Sequence, residues 1–391
     1  MNKYFSLAFA AAFAAMPLHA DTIVPEDESA DDRTEEFLSD ERLEEGVITQ
    51  YINRSIASAM SATAAPEDEQ PTFGRTVTKW ASAPKFGGYV IGSYKYNTSD
   101  DSNQFNARLV RLYVDGTIFN DFKYRLQLQM NGSSPHVKDF YLDWSHWKEF
   151  GIKIGQYKRS FTFENPYNPW DVGVGDYAQL VQKFAGMGDI CGEANMGGRD
   201  QGIQVHGDLF PIGQDKHRLV HYELGLYNGQ GINTGDKNSR KDFIGSIQFQ
   251  PIKNLFLGGF YWNGNYVNAS NQTLDRNRFC FGAKYETTEW SARMEYAREC
   301  SDQFDGADAL YMTVGIPCTP WLKTYLKYDL YRSDGSNDNA RTIYTVAPNF
   351  QLHKNLMFQL QYNYVNAKSA TATGTNSNNH SEFWLETYFR F

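Results

Sequence analysis

The feature that most constrains this sequence is a period of two in its apolar side chains, which begins near residue 85 and lasts to the end of the chain. In residues 122–130, Phe122, Tyr124 and Leu126 point to one side of an extended strand, whereas Lys123 and Arg125 point to the other. Residues 356–364 and 380–391 repeat this pattern. Sixteen strands are predicted, at about 86–97, 103–119, 121–132, 137–147, 150–160, 199–210, 216–228, 241–251, 255–266, 275–286, 290–300, 308–318, 321–333, 340–350, 355–367 and 380–391.

The connections between these strands alternate between a short set and a longer, more polar set, although 98–102 and 133–136 are short members of the second set. A transmembrane barrel sorts its connections in this way, with short periplasmic turns and longer outer loops. The barrel must also close, because lipid offers no partner for a free strand edge. The predicted fold of residues 85–391 is therefore all-β, a sixteen-stranded antiparallel transmembrane β-barrel.

The net charge of −9 over 391 residues is distributed unevenly. Residues 21–72 hold 15 acidic and three basic residues, and Lys3 adds one base, so residues 73–391 carry a net charge of +2. The acidic net charge of the whole chain argues against a nucleic-acid-binding protein. The mean hydropathy of −0.56 argues against a helical membrane protein and is what strands with one wet face give.

Three segments are predicted along the chain. Residues 1–20 are predicted to be a secretory signal peptide, with Lys3 ahead of a short apolar core and Ala20 at the cleavage position. Residues 21–84 are predicted to be an acidic periplasmic segment, with a helix over roughly 32–62 and a linker at 63–84. That segment is either an acidic tether or a helix that associates with itself or with a periplasmic partner. Residues 85–391 form the barrel.

Aromatic residues support a membrane location. Tryptophans near the two ends of the predicted strands fit the aromatic belts of a membrane barrel: Trp144, Trp147, Trp290 and Trp321 near short turns, and Trp262 and Trp384 near long loops. The chain ends in Phe391 on the apolar face of its last strand, which resembles the assembly signal of bacterial outer-membrane barrels. The predicted location is the bacterial outer membrane, and outer-membrane lipid and the barrel-assembly machinery are the predicted partners.

Several short segments lie in a characteristic order: 108–112 (RLVRL), 138–142 (KDFYL), 154–158 (IGQYK), 198–202 (GRDQG) and 227–231 (YNGQG), followed by Asp236, Asn238, Lys241 and Asp242. In order and spacing they resemble the phosphate-selective porin O and P family, especially its Bacteroidetes-like members. The resemblance covers about 85–391 and leaves out the acidic segment. It implies a sixteen-stranded outer-membrane pore, usually a homotrimer, whose third outer loop folds inward and forms the constriction.

The connection at 161–198, here called the third loop, is by far the longest, with 38 residues. A loop of this length is usually functional. Folding into the lumen is favoured, mostly by the family resemblance, and an extracellular lid or antigenic loop is the alternative. The loop carries the charged residues Glu164, Asp171, Asp176, Lys183, Asp189 and Glu193.

Strand parity places eleven bases and ten acids inside, which does not indicate strong anion selectivity. The bases are Arg111, Lys123, Arg125, Lys153, Arg159, Arg278, Lys284, Arg293, Lys323, Lys327 and Arg390; the acids are Asp115, Asp139, Asp143, Asp200, Asp208, Glu286, Glu295, Asp329, Glu382 and Glu386. Cross-strand ion pairs, such as Asp115–Arg125 and Asp143–Lys153, are the alternative role for these bases.

The residues predicted to line the pore or its constriction are Arg111, Lys123, Arg125, Lys158, Arg159, Asp171, Asp176, Lys183, Arg199, Arg293 and Lys327. Those nearest the third loop are Arg111, Arg159 and Arg199. Lys158 has the lipid-facing parity, so it joins them only if its strand ends or bulges there.

No motif for catalysis, a cofactor or a metal stands out. Residues 334–339 could hold calcium or form a polar hairpin tip, which is favoured, and a Cys280–Cys300 bridge is disfavoured. The predicted function is a passive diffusion channel for small hydrophilic solutes, including anions such as phosphate. The alternative is a non-conducting barrel for adhesion or envelope anchoring; an outer-membrane enzyme is a distant third.

Overall fold

The computed structural model describes residues 81–132, 134–193, 197–304, 306–371 and 374–391. Sixteen strands form one closed antiparallel barrel, which confirms the predicted fold class. The predicted signal peptide and nearly all of the acidic segment lie outside the described residues. The strands are β1 (Lys85–Asn97), β2 (Ser102–Ile118), β3 (Phe122–Gln129), β4 (His136–Trp144), β5 (Gly151–Lys158), β6 (Arg199–Ile212), β7 (His217–Tyr227), β8 (Asp242–Ile252), β9 (Leu255–Val267), β10 (Thr273–Glu286), β11 (Ser291–Glu299), β12 (Asp308–Thr319), β13 (Leu322–Arg332), β14 (Ala340–His353), β15 (Leu356–Thr371) and β16 (Gly374–Arg390).

Each strand pairs with its neighbours in the chain, and β16 pairs with β1 to close the barrel. The register at this seam runs from Tyr89 opposite Arg390 to Asn97 opposite Glu382. The last residue extends it: Phe391 N donates to Gly88 O, and Gly88 N donates to Phe391 O, each at 3.0 Å. Closure leaves no strand edge to lipid, where unpaired backbone groups are costly.

The two faces of the wall differ as the alternation predicts. Leu112, Leu126 and Phe140, on adjacent strands, are 40–43% exposed and form part of an apolar outer surface. On the opposite parity, Gln127 and Asp139 are only 4% exposed. The outer face suits lipid and the inner face is polar, as in a membrane barrel.

Two of the tryptophans lie elsewhere than predicted. Trp147, Trp290 and Trp321 are exposed near short turns, as expected of an interfacial belt. Trp262, in contrast, is fully buried, and its Nε1 donates to Asp242 Oδ2 at 2.8 Å. Trp384 has the inner parity, and Lys95 Nζ lies 3.2 Å from its ring centre. Neither belongs to the outer belt, because each is held by a charged partner on the inner face.

Helical structure is minor. Within the described residues, one helix, α1 (Gln179–Phe184), lies in the third loop, and two 3₁₀ turns lie at Asp302–Phe304 and Asn337–Asn339. Of the helices in the described residues, none has the length and apolar character needed to cross a membrane.

Candidate pore constriction

The third loop folds into the barrel and reaches the far wall. Gly175 N donates to Gln361 Oε1 at 2.6 Å, and Asn349 Nδ2 donates to Gly173 O at 3.0 Å. Gln361 and Asn349 are buried, whereas Leu360, the neighbour of Gln361, is 48% exposed on the lipid face. The loop therefore contacts the inner face of the barrel wall. This confirms the prediction that the loop folds into the lumen rather than forming an extracellular lid.

An apolar cluster packs part of the third loop against the inner face of the barrel wall. Phe161, Leu180 and Phe184 are fully buried, and they join a cluster that includes Phe260 and Tyr311 of the wall. The ring of Phe163 meets that of Phe260 edge to face, with 5.1 Å between centres. Burial of several aromatic side chains fixes this part of the loop against strands β9–β12.

A buried ion cluster joins the second half of the loop to the wall around Trp262. The guanidinium carbons of Arg159, Arg276 and Arg278 lie 4.8, 4.8 and 5.1 Å from its ring centre. Glu193 of the loop bridges two of them, with Oε1 2.7 Å from Arg159 Nη2 and Oε2 2.6 Å from Arg276 Nη2. The further carboxylates of the cluster are Asp189, Asp200, Asp242 and Glu299.

Asp189 is a second loop carboxylate of this cluster. Arg278 Nη2 donates to Asp189 Oδ1 at 2.8 Å, and Cys191 N donates to the same oxygen at 2.9 Å. Burial by itself raises the pKa of Asp189, but the charges of Arg278 and Arg276 outweigh burial and hold the pKa below its ordinary value. The ion pair therefore keeps its charge well into the acid range.

Replacing Arg278 with Met should release the second half of the loop. It leaves Asp189 and Glu299 buried without their guanidinium partner, so we expect a loss of about 3 kcal/mol or more in the free energy of unfolding. The measurement is the midpoint of heat-induced unfolding of the detergent-solubilised barrel, followed on gels. The control is Arg332→Met, which removes the pair of a partly exposed guanidinium, 27% exposed, with Asp308. Equal losses in both variants would contradict a special role for the cluster.

The part of the wall formed by β1, β2 and β16 carries a set of bases here called the cationic strip: Lys95 on β1, Arg108 and Arg111 on β2, and Arg390 on β16. Arg111 and Arg390 stand directly on either side of Tyr89 in the strand register. Arg111 Nη1 donates to the Tyr89 hydroxyl at 2.6 Å.

Aromatic rings accompany the members of this strip. Lys95 lies over Trp384, and the Arg390 guanidinium lies 4.1 Å from the ring centre of Trp170 in the third loop. An aromatic ring holds a cation without cancelling its charge, in contrast to a carboxylate. Arg108 also has a carboxylate partner, because its Nη1 lies 3.0 Å from Glu386 Oε1.

Arg108 enters the lumen through a β-bulge that strand alternation does not predict. In the pairing of β1 with β2, Ile91 opposes Leu109 and Gly92 opposes Ala107, so Arg108 is the extra residue. The side chain of Asn131, just past the end of β3, bonds the backbone of β2 at the bulge: its Nδ2 donates to Arg108 O at 2.8 Å and its Oδ1 accepts from Val110 N at 3.2 Å. The bulge shifts the parity, so that Phe105 and Leu112 both face outward.

Asp171 and Asp176, the two loop acids predicted to line the pore, lie on the side of the third loop that faces the cationic strip. Asp176 is exposed and is a charged neighbour of Lys95 and Arg108, and Asp171 is a charged neighbour of Arg390. The structure therefore sets two loop acids against the bases of the wall, and this arrangement can orient a charged solute.

Most of the other bases predicted to line the pore are ion-paired. They are Arg125 with Asp115, Arg159 with Glu193 and Asp200, Arg199 with Asp139, Arg293 with Glu164 and Glu286, and Lys327 with Asp329. The cross-strand alternative is thus confirmed for Asp115–Arg125, at 2.8 Å, and for Asp143–Lys153, at 3.5 Å. A pore-lining role for these bases stays a prediction.

Three predicted bases have other surroundings. Lys123 is exposed, and Lys183 Nζ lies 5.8 Å from the ring centre of Tyr331. Lys158 is the last residue of β5, so the strand does end there; its Nζ donates to Pro166 O at 2.9 Å and also to Tyr167 O. Lys158 therefore binds backbone carbonyl groups in the first half of the third loop.

Two further predictions concern residues 334–339, as a calcium site or a polar hairpin tip, and a disulfide between Cys280 and Cys300. Asp334 accepts hydrogen bonds from Ser336 N at 2.9 Å and from Asn339 Nδ2 at 2.6 Å, which is the geometry of a polar hairpin tip. Among the described residues, Cys280 and Cys300 are not joined by a disulfide, and the Cys280 thiol lies 3.6 Å from Glu295 Oε1.

Comparison with known proteins agrees with this architecture. Residues 88–253 match the model of the family phosphate-selective porin O and P, which confirms the resemblance. Among solved structures, the anion-selective porin from Comamonas acidovorans has a TM-score of 0.59 at 15% identity, over 80% of this chain and 100% of that one. The in-vitro folded trimer form of OmpT from Vibrio cholerae gives 0.55 at 10% identity, over 80% of this chain and 100% of that one.

A mutant of the Rh. blastica porin gives a TM-score of 0.51 at 13% identity, over 79% of this chain and 100% of that one. At such identities the structural matches establish the shared barrel fold. No curated protein sequence matches the chain.

Proposed function

We propose that the chain is an outer-membrane porin for small hydrophilic solutes, with a preference for anions, because residues 88–253 match the model of the phosphate-selective porin O and P family. The observation that carries the proposal is the cationic strip, which faces the inserted third loop. The family and the fold indicate a channel in the bacterial outer membrane rather than an enzyme.

The proposed mechanism follows from shape and charge. A sixteen-stranded barrel encloses a water-filled lumen unless something fills it, and the third loop narrows that lumen against β9–β15. Solutes pass down their gradient through the narrowed lumen, past the charged groups of the loop and the strip. Guanidinium and ammonium groups replace part of the hydration shell of a phosphate-like anion, which lowers its entry cost. Asp171, Asp176 and Glu386 oppose this effect, so we expect a moderate preference for anions.

The test is the reversal potential of single channels in a salt gradient, measured on the full chain in planar bilayers. The wild type should show discrete conductance steps and a potential of the sign that anion preference gives. The triple variant Lys95→Gln, Arg111→Gln and Arg390→Gln should shift the potential toward cation preference. A control in which Arg240, Lys253 and Lys354, all exposed outside the barrel wall, are changed to Gln should not shift it.

Two outcomes would overturn the proposal. Cation preference in the wild type would contradict the role of the strip. Absence of discrete steps would favour the alternative of a non-conducting barrel that serves adhesion or envelope anchoring. Removal of residues 21–72 also distinguishes the porin from the non-conducting barrel. A pore should keep its conductance, whereas an envelope linker should lose its attachment.

We also propose export by the signal peptide at 1–20, insertion into outer-membrane lipid by the barrel-assembly machinery, and a homotrimer as the assembled form. The trimer is supported by the OmpT neighbour, which is described in a trimer form. Mass photometry of the detergent-solubilised protein should give three times the protomer mass, and a mass of one protomer would contradict this.

A further inference from the structure

We propose that Glu164, Glu295 and Asp329 are positioning residues that hold residues 164–178 as a closed sub-loop, here called the inner sub-loop, and thereby fix the width and selectivity of the constriction. This inference rests on the proposed porin function. Its basis is that each of the three carboxylates binds backbone amides of the third loop.

Glu295, on β11, holds the entry into the inner sub-loop. Its Oε1 accepts from Phe163 N at 2.5 Å, its Oε2 accepts from Glu164 N at 3.2 Å, and the Tyr311 hydroxyl donates to Oε2 at 2.5 Å. Glu295 is fully buried. Within the described part of the chain it has no ion pair with a base, so the loop amides supply much of what a buried carboxylate needs.

Asp329, on β13, holds the exit. Gln179 N donates to both of its carboxylate oxygens, at 3.1 and 3.0 Å, and the Gln179 side chain donates to Asp329 O at 3.2 Å. Asp329 is buried as well, and Lys327 Nζ lies 3.3 Å from Oδ2. The inner sub-loop is therefore attached to β11 where it begins and to β13 where it ends.

Glu164 ties the two ends to each other. Its Oε1 accepts from Ala178 N at 2.6 Å, and its Oε2 lies 3.4 Å from Arg293 Nη2. Arg293 also donates to Val172 O at 2.6 Å. With entry and exit joined in this way, the three carboxylates fix where the inner sub-loop begins and ends.

The loop residues that face the cationic strip lie between the two ends. Trp170 contacts Arg390, Asp171 and Asp176 face the cationic strip, and Gly175 reaches Gln361 on β15. None of these tip contacts is an ion pair with an anchoring carboxylate. Loss of the anchors should let the tip move, because the hydrogen bonds that Gly173 and Gly175 make with the wall contribute only about 1 kcal/mol net each.

The experiment measures single-channel conductance and reversal potential for Glu295→Gln, Asp329→Asn and the double variant. Each amide replaces one acceptor oxygen with a donor that faces another N–H group. We expect noisier steps in the single variants and a conductance gain of about twofold in the double variant, as the loop ceases to narrow the lumen. The matched control is Glu382→Gln, a lumen carboxylate that binds Asn363 and no loop amide.

A purely electrostatic effect would move Glu382→Gln as much as Glu295→Gln, and that result would overturn the inference. Conductance equal to wild type in the double variant would overturn it too. Absence of steps in the wild type would instead show that the porin function itself is wrong.

Hydrogen exchange on the wild-type protein keeps the test open if the double variant fails to assemble. The amides of Phe163, Glu164 and Gln179 should exchange as slowly as strand amides, because each donates a hydrogen bond to a buried carboxylate. Fast exchange at all three would contradict the anchoring role.

Discussion

Replacing residues 166–176 with two glycines should raise the single-channel conductance about twofold or more, because a sixteen-stranded barrel without an inserted loop encloses an open aqueous channel. The short bridge is feasible because Glu164 and Ala178 are already joined by a hydrogen bond of 2.6 Å. The barrel should still assemble, since its strand ladders do not include these residues. Loss of Asp171 and Asp176 should also shift the reversal potential toward stronger anion preference.

The control for this deletion is a similar replacement of residues 269–271, in the exposed connection between β9 and β10. It shortens an outer loop and leaves the lumen unchanged, so its conductance should equal that of the wild type. A conductance that stays the same in both variants would mean that the third loop does not limit the current.

Deleting Phe391 should reduce the amount of assembled barrel about tenfold or more, because two backbone groups of Gly88 then lose their partners at the lipid-exposed seam. The measurement is the fraction of heat-modifiable barrel in outer-membrane preparations, normalised to total expressed protein. The comparison variant is Phe391→Ala, which keeps both backbone hydrogen bonds and removes only the ring.

The pair of variants separates two roles of the last residue. If Phe391→Ala assembles like the wild type and the deletion does not, the backbone seam is what matters. If both fail, the aromatic ring itself is needed, as expected of a signal read by the assembly machinery. Normal assembly of the deletion variant would contradict both roles.

The sequence predicts the barrel well because each strand carries its own evidence. Alternation such as that of Leu126 and Gln127 depends only on local geometry, and the sixteen predicted strands differ from the observed ones mainly at their ends. The pairs Asp115–Arg125 and Asp143–Lys153 are predictable for the same reason, since a tight turn fixes the register of the strands that it joins.

The pore itself is less predictable because it depends on contacts between distant parts of the chain. Arg108 is missed by parity because its bulge is set by the pairing of β2 with β1 and by Asn131. Arg276, which shares its parity with Arg278, could have been included in the inner set from the alternation alone. The third loop has no period, so nothing in it indicates that Glu295 binds its backbone.

The way in which the inner sub-loop is held has a consequence for how such a pore can evolve. Glu295 and Asp329 bind main-chain amides, which every residue except proline provides. The main-chain part of the attachment therefore does not depend on which side chains stand at positions 163 and 179, and exchanges at 171 and 176 between acid, base and neutral leave the anchors in place. A lineage could alter the solutes that it admits through single exchanges on one loop while the barrel and its anchors stay constant.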